Sequence, residues 1–511
     1  MPGTVKAVDP RTGEVGAVYP EATAGDAGVA VGAAAEAARS PELADLALRA
    51  DALERIAARL RAAEDELVEL CGAETGLPEP RRRAELARTC FQLDAFAGVV
   101  RSADHVDAII DHADPDATPV PKPDVRRMLV PIGPVAVFGA SNFPFAFSTA
   151  GGDTASALAA GCPVVVKGHP AHPGTSTRVA EEVTAAVAEA GLPAGTFAHV
   201  LAADHDVAGA LVAHPALAAV AFTGSERAGR ALMDRAAARP TPIPVFAEMG
   251  SLNPVVVTEA ALAARADGIV AALTSSIADF GGQMCTKPGL VLVPEGEPGE
   301  AFTAALAESL GAREPEVLLN EGILGGLEAG LAALEAAPGV ERRTAAPVSD
   351  GPGFRAPPAV FAAAAGDLGV VDALGVEHFG PAVVVLRYGD LDDAAAALGR
   401  IGGQLTATVH AEPSEHDALA PVLEAGVRAA GRVLFDGVPT GVAVTYAMQH
   451  GGPYPASSGP AHTSVGMTAI RRFLRPVAYQ NAPDALLPPA LQEANPLRIA
   501  RRVDGVLELP G

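Results

Sequence analysis

Cys285 is the residue in this sequence best suited to act as a nucleophile. It stands in the segment GGQMCTKPG, where two glycines before it and a Pro-Gly pair after it predict an irregular loop. Because a thiol attacks as its thiolate, Cys285 would need a base or a nearby positive charge. Most cysteines are small, buried and inert. That interpretation suits Cys71, Cys90 and Cys162, which fall on predicted helices or just before a predicted strand.

Two other residues supply chemistry that a thiol nucleophile needs. Glu248, in FAEMGS, follows a strand predicted at 243–247. Burial beside apolar neighbours is expected to raise the pKa of Glu248 toward neutrality, which suits a general base. Asn142, in GASNFPF, follows another predicted strand, and its amide could hold a developing oxyanion. Taken singly, each is more often an ordinary loop glutamate or turn asparagine.

A phosphate-binding turn is a third candidate. The segment GSERAG at 224–229 joins a predicted strand to a predicted helix, and small residues at a helix N-terminus suit a phosphate group. The segment matches neither the GxGxxG pattern nor the P-loop pattern, so the motif by itself is weak.

The elements around these residues alternate between short apolar strands and helices. Such alternation is typical of a parallel sheet with helices on both faces, whose ligands bind at the carboxyl ends of the strands. Asn142, Glu248 and the turn at 224–229 all follow such ends. The sequence predicts strands at 135–139, 163–168, 197–201 and 220–224, with helices near 147–159, 174–190, 206–213 and 226–238.

The remaining segments complete an α/β chain. The segment SPE at 40–42 predicts the start of a helix that runs to about 71 and is ended by Gly72. Four prolines between 104 and 126 predict an extended, exposed arm. Further strands are predicted at 290–293, at 382–388 and in the tail segment VDGVLEL, with helices near 26–38, 79–99, 259–279, 301–310 and 392–400.

The composition excludes several classes of protein. With 511 residues, 49% of them hydrophobic, the chain is long enough for two or three domains and too apolar for intrinsic disorder. A net charge of −24 gives no electrostatic reason to bind nucleic acid or an anionic membrane. Four cysteines without paired spacing disfavour a disulfide scaffold and a zinc module. The N-terminus lacks a secretory pattern and no strongly apolar stretch of about 18 residues occurs, so a soluble cytoplasmic protein is expected.

Six segments of the chain resemble the aldehyde dehydrogenase superfamily, and they occur in that family's order: GASNFPFAF, PVVVKG, AFTGSERAG, FAEMGSLNP, GGQMCTKPG and EHFGP. Within the superfamily the chain is similar to the 2,5-dioxopentanoate (α-ketoglutarate semialdehyde) dehydrogenase branch. That similarity rests on ETGLP at 74–78, the block at 141–176 and PTGVAVTYAMQHGGPYPASS at 439–458. The resemblance implies an α/β fold with a Rossmann-like cofactor domain, an α/β catalytic domain and a β-strand oligomerisation arm.

The resemblance also implies domain boundaries and an assembly. The NAD(P)-binding domain would comprise 1–103 and 127–247 with part of 440–477, the catalytic domain 248–439, and the arm 104–126 and 478–511. Because open strand edges favour pairing, the arm is expected to join subunits into a homodimer or homotetramer.

Specific roles follow from the resemblance. Cys285 would attack an aldehyde to form a thiohemiacetal and then a thioester, and Glu248 would activate the water that releases the acid. The side chain of Asn142 and the backbone amide of Cys285 would form the oxyanion hole. No metal site is implied. Residues matching the cofactor-binding positions are Ser141, Lys167, His169, Gly224, Ser225, Gly229, Glu377 and Phe379.

The cofactor preference can be argued from charge. NAD-preferring relatives commonly carry an acidic residue three positions after the ribose-binding lysine. Here Gly168, His169 and Pro170 follow Lys167, so no carboxylate would repel a 2′-phosphate. NADP is therefore the favoured cofactor, with NAD as the alternative.

The branch implies a short, anionic aldehyde substrate. Its carboxylate would need an arginine or amide donors, and Arg88 and Arg101 are candidates by location, although a surface helix arginine is the simpler interpretation of each. The segment QHGG at 449–452 would line the substrate entrance by resemblance.

Other functions stay open. One is a general NADP-dependent aldehyde dehydrogenase acting on aliphatic or aromatic aldehydes, and another is a catalytically silent family member that binds cofactor or serves a structural role. An acylating dehydrogenase would lack Glu248. A Cys/His hydrolase is disfavoured because no histidine has a local spacing to Cys285 that suggests a dyad.

Overall fold

A five-stranded parallel sheet lies at the centre of the first half of the chain. The computed structural model describes residues 3–345, 351–364, 371 and 375–509. In spatial order the strands of this sheet are Phe197–Leu201, Val164–Gly168, Val135–Phe138, Ala219–Thr223 and Val245–Glu248. All neighbouring pairs are parallel, as the alternation of strands and helices predicts.

Successive side chains of these strands enter two different cores. Val135 and Val137 pack on one face, whereas Ala136 and Phe138 pack on the other, because side chains alternate across a strand. The first face is covered by the helices Leu46–Ala62, Glu64–Thr75, Glu79–Ser102, Gly152–Ala160 and Pro173–Glu189. The second is covered by Ala24–Ala37, His205–Ala213 and Glu226–Ala237.

The prediction of one helix from 40 to 71 is wrong. That region forms the three helices Pro41–Ala44, Leu46–Ala62 and Glu64–Thr75. The break at Asp45 occurs because its carboxylate accepts hydrogen bonds from the backbone of the next helix, from Ala47 at 2.7 Å and Leu48 at 3.2 Å. Gly72 lies inside the third helix, and Gly76, with φ of 65°, ends it.

A seven-stranded sheet forms the second α/β region. Its order is Glu341–Arg342, Ala359–Ala364, Ala382–Tyr388, Leu290–Pro294, Val255–Val257, Gln404–His410 and Ala430–Phe435, with only the first strand antiparallel. Its helices are Glu259–Ala278, Glu297–Gly311, Glu321–Ala336, Leu391–Arg400 and Ala420–Ala429. Several of these elements were not predicted, because short alanine-rich runs carry little periodicity.

The helix Glu259–Ala278 is an exception to the prediction that the chain has no long apolar stretch. With the turn that follows it to Gly282, it is long and apolar enough to cross a membrane by length and composition. In the fold, its residues Ile269, Leu273 and Ile277 pack against the second sheet and the helix Glu297–Gly311. A position in the protein core accounts for its composition.

A third sheet is built from the predicted arm and its neighbours. Its strands are Leu474–Gln480, Val125–Pro131, Ile109–Asp111, Arg501–Val503 and Val506–Glu508, in that order. The prediction of an extended, exposed arm is wrong for the start of this segment, because Asp104–Val106 forms a 3-10 turn and Ile110, in the paired strand Ile109–Asp111, is buried in a small apolar core. Two antiparallel pairs complete the described strands, the hairpin of Thr4–Val8 with Val15–Pro20 and the long-range pair of Glu316–Val317 with Arg355–Ala356.

Candidate active site

Cys285, His450 and Glu248 meet between the first two sheets. The Sγ atom of Cys285 lies 3.5 Å from Nε2 of His450, and the same nitrogen lies 3.1 Å from Oε1 of Glu248. Glu248 is the last residue of its strand, at the carboxyl end where the sequence predicts a ligand. His450 and Glu248 are buried, and Cys285 is half-buried. The other three cysteines are buried elsewhere.

The sequence does not predict His450 as a partner of the thiol. The argument that no histidine has a suitable spacing to Cys285 is wrong, because the fold brings together residues 165 positions apart. A turn fixes His450: its backbone N–H donates to Thr463 Oγ1 at 2.9 Å, and its carbonyl accepts from the backbone N–H of Ser464 at 2.8 Å. The resemblance places the QHGG segment only at the substrate entrance.

The thiol of Cys285 is protonated at rest. Burial raises its pKa well above the ordinary value, and the negative charge of Glu248 raises it further. The positive charge of Arg88 acts in the opposite direction with a smaller effect. Cys285 therefore needs a proton acceptor before it can attack, and His450 is within reach.

Glu248 is ionised, contrary to the expectation of a raised pKa. Burial acts to raise its pKa, but the attraction of His450 and the hydrogen bonds that it receives outweigh burial and hold the pKa below its usual value. One of those bonds comes from the Ser464 hydroxyl to Oε2. The prediction from apolar neighbours did not include these donors, because their residues lie more than 200 positions away in the sequence.

The nucleophile loop is held by a buried asparagine that the sequence analysis missed. Asn253 has a positive φ of 49°, and its side-chain Nδ2 donates to the carbonyls of Cys285 at 2.8 Å and Lys287 at 3.0 Å. Its environment is the SLNP turn between the two sheets. These two bonds fix the backbone at the nucleophile and just after it.

Asn142 lies against the same loop. Its side-chain Nδ2 donates to the carbonyl of Gln283 at 3.0 Å, two residues before Cys285, and the residue is buried. An amide nitrogen carries two hydrogens, so one can hold the loop while the other serves an oxyanion. The oxyanion-hole hypothesis is compatible with this position.

The turn at 224–229 has the shape of a phosphate cradle. Ser225 caps the helix Glu226–Ala237, with its hydroxyl accepting from the backbone N–H of Ala228 at 3.3 Å. A Cβ at Gly224 would lie 2.6 Å from the ring of Phe222, and one at Gly229 would lie 2.5 Å from Sδ of Met249. A side chain at Gly224 or Gly229 would therefore displace the ring of Phe222 or the end of Met249. The backbone amides at the helix start suit a pyrophosphate.

Lys167, His169 and Ser141 lie at the ends of the neighbouring strands. Burial lowers the pKa of Lys167 to about 8, and its ammonium donates to the carbonyl of Ala202. Burial also holds the pKa of His169 well below its usual value, so this ring is neutral and stacks on His172, with centroids 5.7 Å apart. Ser141 is half-buried one residue before Asn142.

Glu377 and Lys287 attract each other electrostatically beside the nucleophile loop, where Lys287 is buried and Glu377 is half-buried. Burial raises the pKa of Glu377 to about 7, opposed by the positive charge of Lys287. Lys287 Nζ donates to the carbonyls of His378 at 3.2 Å and Ala382 at 2.8 Å, on either side of half-buried Phe379. Lys287 thus holds the EHFGP segment, a role that its place two residues after Cys285 does not reveal.

The structure separates the two arginine candidates. Arg101 forms a surface ion pair with Glu54, 2.7 Å long. Arg88 is half-buried, and its guanidinium lies 5.2 Å from the ring centroid of Phe147. The simpler interpretation, a surface helix arginine, suits Arg101 and is wrong for Arg88.

The three central side chains could also hold a metal ion by type. One atom from each of Glu248, Cys285 and His450 lies within 4.8 Å of the others. A thiol, an imidazole and a carboxylate are ligands that zinc accepts. The three side chains already contact one another, although Oε1 of Glu248 and Nδ1 of His450 have no hydrogen-bond partner among the described residues.

Comparison with known proteins identifies the family. Residues 2–441 match the model described as the aldehyde dehydrogenase family. The chain is 48% identical over 511 residues to alpha-ketoglutaric semialdehyde dehydrogenase 2 of Azospirillum brasilense, covering 99% of this chain and 97% of the relative. It is 43% identical over 467 residues to an alpha-ketoglutaric semialdehyde dehydrogenase of Acinetobacter baylyi, covering 90% and 87%.

A solved structure supports the same conclusion. The NAD-dependent aldehyde dehydrogenase of Sinorhizobium meliloti superposes with a TM-score of 0.78 and 25% identity, covering 94% of this chain and 92% of that one. The predicted resemblance and fold class are thereby confirmed. The chain belongs to the aldehyde dehydrogenase family, whose members oxidise aldehydes with NAD(P).

Proposed function

We propose that this enzyme oxidises 2,5-dioxopentanoate to 2-oxoglutarate. The proposal rests on the two relatives, named for α-ketoglutaric semialdehyde, which align over nearly the whole chain. The observation that carries the chemistry is the contact of Cys285 with His450, because it gives a protonated thiol the acceptor that it needs.

The first step activates the thiol. In the neutral tautomer that carries its hydrogen on Nδ1, His450 accepts the proton of the Cys285 thiol at Nε2. The imidazolium that results then donates from Nε2 to Glu248, whose carboxylate is 3.1 Å away and stabilises it. The thiolate forms a C–S bond to the aldehyde carbon, and the aldehyde oxygen becomes an oxyanion. The Asn142 amide and the Cys285 backbone N–H would stabilise that oxyanion in the thiohemiacetal.

The cofactor fits the groups at the strand ends. The cradle, where a Cβ at Gly224 or Gly229 would displace a neighbouring side chain, would hold the pyrophosphate beside Ser225. Lys167 and His169, with neighbouring Ser141, would hold the adenosine ribose, and Glu377 and Phe379 the nicotinamide end. When bound, NAD(P) supplies the oxidation by accepting hydride from the thiohemiacetal.

Release of the acid needs water and a second base. The ionised Glu248 accepts a proton from the water that attacks the Cys285 thioester. As the C–S bond breaks, the departing sulfur recovers the proton held by His450. Because Glu248 serves this hydrolysis, the geometry favours the hydrolytic reaction over acyl transfer to a second thiol.

We further propose NADP as the preferred cofactor. The support is the sequence after Lys167, where no carboxylate stands three positions on. The neutral state of His169 removes one source of positive charge, so this preference rests on Lys167 and on hydrogen bonding. Steady-state kinetics with both cofactors tests it, and a larger kcat/KM with NAD would reject it.

The substrate is tested with a panel of aldehydes. We expect kcat/KM for 2,5-dioxopentanoate to exceed the values for glutarate semialdehyde, hexanal and benzaldehyde. A preference for hexanal or benzaldehyde would instead favour the general aldehyde dehydrogenase. Absence of turnover with every aldehyde, despite cofactor binding, would favour the silent family member.

A homodimer or homotetramer is also proposed, with a cytoplasmic location. The exposed edge strand Val506–Glu508 and the outer strand Ala430–Phe435 of the second sheet offer unpaired backbone groups. Light scattering on the native protein tests the assembly, and a monomer at micromolar concentration would contradict it. The four cysteines of the chain are unpaired, as suits a reducing compartment.

A further inference from the structure

Arg88 is a half-buried cation near the active-site thiol, and among the described residues it has no carboxylate partner. It lies on the helix Glu79–Ser102. Within the part of the chain that the structure describes, it forms no ion pair, and its hydrogen bond to the Val442 carbonyl is long, at 3.4 Å. Burial lowers its pKa, so the guanidinium has lost much of its hydration without gaining a strong partner.

The position of Arg88 relates it to the reacting thiol. Its guanidinium stacks on the ring of Phe147, whose centroid lies 6.2 Å from the ring of His450, which in turn contacts Cys285. Arg88 is near enough to interact electrostatically with the charges of Cys285 and Glu248. The rings of Phe147 and His450 therefore lie between this cation and the nucleophile.

The carboxylate of Glu85, on the same helix, accepts hydrogen bonds from the backbone of another segment. Glu85 Oε1 accepts from the backbone N–H groups of Phe145 at 2.8 Å and Ala146 at 3.0 Å. Its charge attracts Arg88 electrostatically without an ion pair. The N–H donors of Arg88 are therefore available to a ligand bound near the thiol.

Two other arginines near the site hold backbone carbonyl groups. Arg81 donates to the Asn142 carbonyl at 2.8 Å and lies over the rings of Phe143 and Phe280. Arg432 donates to the carbonyl of Pro439 at 2.6 Å and so holds the loop that carries Val442. Among the described residues, Arg81 Nη1 and Arg432 Nε have no hydrogen-bond partner, but both guanidinium groups are fixed by these shorter bonds, whereas the hydrogen bond of Arg88 is 3.4 Å long.

We propose that Arg88 binds the carboxylate of the substrate and thereby selects anionic semialdehydes. This inference rests on the proposed function. A planar guanidinium with parallel donors matches a carboxylate. In 2,5-dioxopentanoate the carboxylate and the aldehyde stand at opposite ends of a five-carbon chain, so Arg88 holds one end while Cys285 attacks the other. Phe147, between the two, contacts the carbon chain.

The test compares a charged and an uncharged aldehyde of equal length in Arg88 variants. Wild type is measured first with 2,5-dioxopentanoate, glutarate semialdehyde and pentanal. We expect Arg88→Leu to lower kcat/KM for the two anionic aldehydes at least about tenfold, mainly through KM, and to change the value for pentanal less than about threefold. Arg88→Lys keeps the positive charge but lacks the parallel donors of a guanidinium, so it should recover part of the loss. Arg101→Leu should behave as wild type.

Binding of 2-oxoglutarate, measured by calorimetry, gives a readout that does not depend on turnover. Arg88→Leu should weaken it at least about tenfold. An equal loss for all three aldehydes, or no loss for the anionic ones, would overturn the role of Arg88. A wild-type preference for pentanal over 2,5-dioxopentanoate would instead reject the proposed substrate. A pentanal activity close to wild type shows that the Leu variant is folded.

Discussion

The Nε2 atom of His450 lies 3.5 Å from the Cys285 thiol and 3.1 Å from the Glu248 carboxylate, so one ring nitrogen links the nucleophile to the base. The thiol is protonated because burial and the nearby negative charge raise its pKa. The carboxylate is ionised because its hydrogen bonds hold its pKa down. This pairing makes His450 the first proton acceptor and keeps Glu248 available for water.

The first prediction concerns His450. His450→Gln keeps a polar side chain of similar reach but cannot hold a transferable proton at neutral pH. We expect kcat to fall about 100-fold or more, the usual contribution of a general base. Alkylation of Cys285 by iodoacetamide at pH 7.5 should slow in parallel.

The matched control is His462→Gln. His462 lies on the same loop, but its ring packs against Phe246, with centroids 5.2 Å apart. Its replacement should leave both rates within about threefold of wild type. Equal effects of the two substitutions would show that His450 acts on the loop and not on the thiol.

The second prediction concerns the hydrogen bond from Ser464 to Glu248. Because the pKa of Glu248 is lowered, its basic form is lost only as the pH falls below the usual range of a carboxyl. Ser464→Ala removes one donor, so the acidic limb of the rate of thioester hydrolysis, measured on preformed acyl-enzyme, should move upward by about one pH unit. Ser457→Ala is the control, since that hydroxyl donates to the Gly452 carbonyl. An unmoved acidic limb in Ser464→Ala would mean that Glu248 does not control it.

The third prediction concerns Lys167 and the cofactor. Since the pKa of Lys167 is about 8, the ammonium loses its proton as the pH rises through that value. The Kd for NADP should therefore increase above pH 8, by at most about tenfold per pH unit, and the Kd for NAD should increase less. Lys167→Arg stays charged and should flatten the NADP profile. Parallel profiles for NADP and NAD in the wild type, measured by fluorescence titration, would argue against contact with a 2′-phosphate.

The fourth prediction concerns the pair of Lys287 and Glu377. Lys287→Met removes the positive charge that attracts half-buried Glu377 and the hydrogen bonds to His378 and Ala382, which should cost about 2 kcal/mol of unfolding free energy at pH 8. The raised pKa of Glu377, about 7, means that the folded state binds the proton more tightly than the unfolded chain. Stability contributed by this proton is present at low pH and lost as the pH rises through 7, so the deficit should shrink at pH 5.5.

Urea unfolding of single and double variants checks this pair. Lys287→Met with Glu377→Gln should recover part of the lost stability at pH 8, because no buried charge remains. A deficit that is the same at both pH values, and is not reduced in the double variant, would show that Lys287 acts only through its hydrogen bonds to His378 and Ala382.

The sequence predicts the parallel sheet well and the centre of the site only in part. The strand Val164–Gly168 is a continuous β-branched run bounded by turn residues, so both its type and its end are readable. Glu248 and Asn142 follow such ends, and their proximity to Cys285 could be expected from topology and resemblance. The strand Ala359–Ala364 is rich in alanine, which shows no hydrophobic periodicity, so the sequence does not predict it.

Long-range contacts explain what the sequence could not reveal. His450 and Ser464 belong to an irregular Gly-rich segment, and nothing local indicates that they reach Cys285 and Glu248. The direction of the Glu248 pKa depends on these donors, so a count of apolar neighbours gives the wrong sign. The Arg88 helix is predicted correctly, but only the packing of Phe147 shows which of its faces meets the cleft.

The most direct test of the account is to trap the acyl-enzyme. Glu248→Gln, mixed with 2,5-dioxopentanoate and NADP, should release one equivalent of NADPH per subunit in a burst and then turn over slowly. Mass spectrometry of the quenched protein should find the acyl group as a thioester on Cys285, and the Cys285→Ser variant should carry none. A burst without a covalent adduct, or an adduct on any other residue, would contradict Cys285 as the nucleophile.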